Sequence, residues 1–253
     1  MQMKDVRIES MLRFEDADVI VVHKPPFLAV ETGNPRQQDL VSLLKNRRSS
    51  RGEEAYIGLV HRLDQPVEGL LVLAKTPRAA GLLGASLAAG DFAKEYLAAA
   101  MGVTPEGGTL VHTLKRDGRL NRSRVVGAGT PGGKEARLSY ERLAVAEERS
   151  LLAVRLLTGR HHQIRVQLAA VSHPLCGDEK YGARATQIGA GAKHDTRGIQ
   201  KIPPALCSSR LVFAHPVSGA RMEFCARPTG AGFAPFSAAI EEWLARQKTK
   251  QND

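Results

Sequence analysis

Apolar residues in this chain fall into short runs rather than long helical stripes. Residues 18–22 (DVIVV) are a β-branched run ending at Lys24-Pro25-Pro26, which predicts a strand stopped by proline. Residues 69–75 (GLLVLAK) are apolar throughout and suit a buried strand. Thr76-Pro77 then supplies an N-cap residue and a first-turn proline for a helix over 78–89, which Gly90 closes. Residues 94–101 (KEYLAAAM) have mixed propensity, and their place between Gly90 and Gly102 predicts a strand following that helix. Residues 151–157 (LLAVRLL) predict a further strand. Thr158-Gly159 leads from it into a helix over HHQIRVQLAAV, with Arg165 in its first turns. The alternating runs 210–215 and 221–226, joined by Pro216 to Ala220, predict a hairpin. Phe236, Ile240, Trp243 and Leu244 share one face of a C-terminal helix over about 235–247.

Two stretches break this pattern. Residues 103–134 are rich in glycine and proline and carry Lys115, Arg116, Arg119, Arg122 and Arg124, which predicts exposed loops or a protruding basic hairpin. Residues 184–205 lack periodicity and read as a surface loop. Many strands with few helices indicate an α+β fold: a mixed, mainly antiparallel sheet core with flanking helices. A single domain over 1–253, with its core at about 10–228, is expected, and no internal repeat is visible.

Composition narrows the class. With 253 residues, 43% hydrophobic and 25% charged, the chain can bury a core and is not of disordered type. Its formal net charge of +10 suits a polyanionic partner, nucleic acid above all, though a merely solvated basic surface would give the same figure. Cys176, Cys207 and Cys225 are odd in number and form no CxxC, so neither a disulfide framework nor a bound metal is expected. The N-terminus lacks an apolar signal core, and no apolar run nears the roughly 18 residues of a membrane span. A cytoplasmic protein without membrane contact is expected, a monomer being the simplest state.

Three constellations carry possible chemistry. His61-Arg62-Leu63-Asp64 precedes Gln65-Pro66-Val67-Glu68-Gly69 and the apolar run. Its carboxylate suits a nucleophile or base, but by spacing alone equally a surface turn. Thr158-Gly159-Arg160-His161-His162-Gln163-Ile164-Arg165 places cations at a loop-to-helix junction, as phosphate contact requires and as a solvated cap also would. Lys94-Glu95-Tyr96 sets a tyrosine among strand-like neighbours, where packing is the plainer use.

Taken together, HRLDQPVEGLLVLAKT, KEYLA and TGRHHQIRVQLAAVSHPLCGDEKYG occur in the order and spacing of the RluA-type RNA pseudouridine synthases. FEDADVIVVHKPPFLAV resembles that family's opening strand and its Lys-Pro element. GKEARLSYERL and RLVFAHPVSGARMEF resemble its later strands, so the likeness spans about residues 10–228. The resemblance implies a pseudouridine synthase fold with a central RNA-binding cleft, acting on structured ribosomal or transfer RNA without a cofactor. It implies that Asp64 is the essential aspartate, attacking C1′ of the target uridine or taking a neighbouring ribose proton. Tyr96 falls on the family's active-site tyrosine and Arg165 on the arginine paired with the aspartate. A cation beside Asp64 would keep the carboxylate ionised. Arg62 falls on the position that fills the gap left by a flipped-out base. His61, Arg160, His162, Lys115 and Arg116 are the further residues expected to contact RNA.

The sequence departs from the family at Val67-Glu68-Gly69, where Thr-Ser-Gly is common, and at His161, where threonine is common. Only a dozen residues precede the catalytic region, so a small N-terminal RNA-binding domain of the S4 type is not expected. Two other readings compete. A silent RNA-binding or ribosome-assembly factor on the same fold would have no use for a carboxylate facing phosphates. A metal-dependent hydrolase using His61, His161 and His162 lacks an HxxxH spacing, and adjacent histidines on a helix diverge.

Overall fold

A computed structural model describes residues 8–182 and 202–252. The predicted surface loop at 184–205 lies outside these residues except for its last four positions. The chain forms two compact units, Met1–Lys94 with Cys207–Ala226, and Glu95–Leu206 with Arg227–Asp253.

The first unit holds β1 (Leu12–Glu15), β2 (Val19–Lys24), β3 (Gly58–Leu59) and β4 (Glu68–Ala74), with three helices, α1 (Ile8–Met11), α2 (Leu40–Ser50) and α3 (Pro77–Ala89). β2 pairs antiparallel with β1 and β4, and β3 pairs antiparallel with β4. The strand Leu206–Ala214 runs parallel to β4, matching Cys207 to Glu68 and Ser208 to Gly69, and pairs antiparallel with Arg221–Cys225. All seven residues of β4 are buried, which is why that segment reads as a continuous apolar run rather than an alternation. The helix signals of the sequence are realised in α3. Thr76 Oγ1 accepts the Ala79 N–H at 3.1 Å, Pro77 opens the first turn, and Gly90 closes the helix in the left-handed region at φ 87°. The core joins Val19, Val21, Leu70 and Val72 to Leu83, Phe92, Leu211 and Phe213.

The second unit is an all-antiparallel ladder. β5 (Ala93–Met101) pairs through residues 95–101 with β9 (Arg149–Leu156), which pairs with β8 (Lys134–Ala146). β8 in turn pairs with β6 (Gly107–Asp117), and β6 with the edge strand β7 (Arg122–Val126). Of the predicted alternatives, exposed loops or a hairpin, the chain forms a hairpin that is largely strand, and glycine and proline gather at its ends and turns. β8 and β9 meet at Glu147-Glu148, both left-handed (φ 50° and 53°), the twist a two-residue hairpin turn requires. Helix α4 (Gln163–Ala170) follows β9. A 3-10 segment (Ala231–Phe236) leads into α5 (Ser237–Asn252), a longer helix than its four apolar residues predict. With β10 for Leu206–Ala214 and β11 for Arg221–Cys225, the strands number eleven among the described residues, and the expected α+β, mainly antiparallel architecture is what the chain adopts. Among the described residues no helix is long and apolar enough to cross a membrane.

Candidate active site

Asp64 sits half-buried in the turn before β4, whose Val67 N–H donates to the Asp64 carbonyl at 3.0 Å. The turn is anchored from below by Lys24 at the end of β2. The Lys24 side chain is fully buried, and its ammonium donates to the carbonyl oxygens of Pro25 (3.0 Å), Leu28 (2.9 Å) and Gln65 (3.1 Å). Burial pushes Lys24 down to about 7, against the pull of the Asp64 and Glu68 carboxylates. Gln65 Nε2 returns a bond to the Phe27 carbonyl at 3.1 Å. The Lys-Pro element that the sequence shows only as a strand stop is therefore the floor beneath Asp64. Gly69 lies behind this turn at φ 126°, and a Cβ there would meet Ser208 N at 2.3 Å. Only glycine fits that conformation and that approach.

Around the turn, Arg62 is exposed. His61 is half-buried, its Nε2 3.4 Å from the Val72 N–H, and burial together with Lys94 pushes it down to about 3. Glu68, the departure from the family pattern, is buried beside half-buried His23 and buried Cys207.

In the second unit Tyr96 is buried on β5, its Cα opposite Val154 of β9. Arg165 is buried in α4 and makes a two-pronged bond to Asp178, Nε to Oδ2 at 2.7 Å and Nη2 to Oδ1 at 2.9 Å. The junction before α4 is held by Gln163. Its Oε1 accepts the Arg160 N–H (2.9 Å) and the Thr158 hydroxyl (2.8 Å), and its amide donates to the Arg137 carbonyl (3.0 Å). The Arg160 guanidinium donates to the Glu135 carbonyl at 2.8 Å. His162 takes the left-handed N-cap position at φ 56°, and its ring stacks on His161 at 3.7 Å. Burial, then the charge of Arg165, pushes His162 down to about 2. His161 reaches the hairpin, Nδ1 to Ser123 Oγ at 2.8 Å and Nε2 to Asn121 Oδ1 at 3.0 Å. On that hairpin Lys115 faces Arg124 in register and Arg116 faces Ser123. Arg116, Arg119, Arg122 and Arg124 are exposed.

The family profile described as RNA pseudouridylate synthase matches residues 18–170, spanning the Asp64 turn, Tyr96, the hairpin and α4. The chain belongs to that family. Ribosomal large subunit pseudouridine synthase D of Vibrio cholerae is 35% identical over 241 residues, covering 94% of this chain and 73% of that protein. The Haemophilus influenzae protein of the same name is 36% identical over 216 residues, 84% of this chain and 65% of its own length. These relatives put the chain in the RluA-type branch of the pseudouridine synthases, isomerases that turn uridine into pseudouridine in RNA. Two human structures share the fold. RNA Pseudouridylate Synthase Domain Containing 4 has a TM-score of 0.72 at 19% identity, over 92% of this chain and 94% of that one. Domain Containing 1 has 0.68 at 23%, over 89% and 86%.

Among the described residues of this pseudouridine synthase, two clusters have the residue types for a metal ion: His23 with Glu68 and Cys207, and Asp16 with Asp18 and His215. Tautomers argue against both. Arg13, which can only donate, faces His23 Nδ1 at 3.3 Å, so the ring proton sits on Nε2, toward Cys207 Sγ at 3.9 Å. His215 Nδ1 accepts from Ser218 N (3.1 Å), so its proton sits on Nε2, toward Asp16 at 2.9 Å. In each cluster a hydrogen occupies the nitrogen a metal would need. Burial and Glu68 raise the Cys207 thiol, which suits packing rather than reactivity. Sequence reading passed over Asp178 and Tyr181 as partners, although GDEKYG was visible as a unit. Nothing in spacing alone ties them to Arg165 and the hairpin.

Proposed function

We propose that this synthase forms pseudouridine in large-subunit ribosomal RNA, with Asp64 as the essential carboxylate. The observation that carries the reading is the Asp64 turn itself, an acid held over a buried ammonium and a glycine that admits no side chain. The relatives' names support ribosomal RNA, and the basic hairpin supports a phosphate-bearing partner. In the reaction the C1′–N1 bond breaks, the freed uracil turns, and a C1′–C5 bond forms. C5 then loses its proton and N1 gains one, so the product is an isomer and no cofactor is consumed. Asp64 either bonds to C1′ or removes a neighbouring ribose proton. Tyr96 lies against the base, and Arg165 supplies a cation for the reacting nucleotide. Arg62, exposed beside the turn, fills the space of the extruded nucleotide. His61, Arg160, Lys115 and Arg116 face the RNA backbone, and His162 shapes the junction before α4.

The test is pseudouridine mapping of total RNA from cells with the gene, without it, and carrying Asp64→Asn. A site lost in both altered strains, and restored in a purified transcript by the wild-type protein, is expected. If every site persists with Asp64→Asn, the carboxylate is not essential and a silent RNA-binding factor becomes the better account.

A further inference from the structure

Asp178 and Tyr181 have no part in the chemistry above, yet they join its two RNA-facing elements within the second unit. One Asp178 carboxylate holds both prongs of Arg165 and, through Oδ1, the backbone N–H groups of Lys180 (3.0 Å) and Tyr181 (3.2 Å). The Tyr181 hydroxyl accepts the Ser123 N–H of edge strand β7 at 2.8 Å. The same hydroxyl is hydrogen-bonded to His162 Nδ1, 2.7 Å away at the head of α4. The Tyr181 ring lies 5.2 Å from the Arg165 guanidinium carbon and 5.9 Å from that of Arg122. Lys180 completes the link. Its Nζ donates to the Asn121 carbonyl at 2.9 Å, and its own carbonyl accepts from Arg122. The turn thus grips the basic hairpin at its tip and its strand, and grips Arg165 by its guanidinium.

A buried arginine–carboxylate pair adds little stability over apolar packing, but a forked pair fixes the plane of the guanidinium. We propose that the Asp178–Tyr181 turn is a positioning link, through which RNA seated on the β6–β7 hairpin sets the orientation of Arg165 toward the reacting nucleotide. This rests on the reading that the hairpin and Arg165 serve one RNA. Tyr181 is a positioning residue: its hydroxyl acts through Arg165 and the hairpin, not on the substrate.

Tyr181→Phe keeps the ring and both cation contacts while removing the hydroxyl bond to β7 and to His162. In single-turnover assays on a ribosomal RNA transcript, the variant should bind RNA within about twofold of wild type with the same salt dependence. Its maximal rate should fall about tenfold or more. A maximal rate within twofold of wild type overturns the link, and so does a loss confined to affinity. Should Tyr181→Phe not fold, Lys180→Ala decides, since it removes the exposed tie to Asn121. A several-fold lower maximal rate at unchanged affinity is expected, and an unchanged rate overturns the link. Wild type and Arg165→Lys are run alongside. A wild-type protein that forms no pseudouridine, or Arg165→Lys at full rate, takes down the underlying reading. Active wild type, slow Arg165→Lys and full-rate Tyr181→Phe take down the link alone.

Discussion

Lys24 Nζ and the Gln65 carbonyl oxygen, 41 residues apart in the chain, meet at 3.1 Å beneath the Asp64 turn. Lys24→Met would leave three carbonyl oxygens without their donor, at a cost of about 1 kcal/mol or more each. A loss of about 3 kcal/mol in urea denaturation is expected, with activity falling as the turn loosens. The pH dependence has a definite sign. Folded Lys24 releases its proton near 7, whereas an unfolded lysine holds it to about 10.5. The unfolded chain binds more protons across that window, so wild-type stability from this group rises with pH between them. Lys24→Met should lack that rise, and a variant retaining it would show that another group is responsible.

Gly69→Ala should be severe. The new Cβ meets the Ser208 backbone at 2.3 Å from a backbone angle that alanine avoids. A drop of at least about 3 kcal/mol, or failure to accumulate as soluble protein, is expected. Gly81→Ala is the contrast, since nothing lies within 4 Å of its added Cβ inside α3. It should raise stability by about 1 kcal/mol, through helix propensity alone. Equal effects at the two glycines would contradict the packing described behind the Asp64 turn.

Acid should unfold the protein through its histidines as well as its carboxylates. His61, pushed down to about 3, and His162, pushed down to about 2, stay neutral when folded but take up protons near 6.5 when unfolded. Stability should therefore fall as pH drops below 6.5 and go on falling toward 3. Proton NMR of the two rings across pH 5–8 checks the premise. A ring that titrates in that range refutes it for that residue.

The hairpin arginines should show themselves in salt dependence. Arg119 and Arg124 are exposed near its turn and on its edge strand. Replacing both with glutamine should flatten the slope of log affinity against log salt by roughly 1.5, given about 0.7–0.9 per phosphate contact. An unaltered slope removes the hairpin from the RNA-binding surface.

Local chemistry made much of this legible in sequence. The β4 run, the Thr76–Gly90 helix and the hairpin of β10 and β11 declare themselves through burial, caps and turn residues, which act within a few positions. Helix α2 escaped because its apolar residues Leu40, Val41 and Leu44 give way to a polar basic tail, although Asp39 caps it by accepting the Ser42 N–H at 2.7 Å. The length of β6 and β8 was hidden by the glycines and prolines around them. For the site, the motifs marked Asp64, Tyr96 and Arg165. They did not show that Lys24 supports the aspartate turn, or that Asp178 and Tyr181 bind Arg165 to the hairpin. Those roles depend on side chains reaching backbone groups far along the chain, which no periodicity records.

The first unit is built from two separated stretches of chain, and this has a consequence for its synthesis. Gly69 takes its close place against Ser208, and β4 its parallel partner, only once the strand beginning at Leu206 has been made. At about 5–20 residues per second, the 138 residues between them take roughly 7–28 s to translate. During that interval β4, apolar but for Glu68, waits with its Glu68–Gly69 end lacking the parallel partner. The unit that carries Asp64 therefore closes only after most of the chain has been made, and that waiting strand is where a chaperone would be needed.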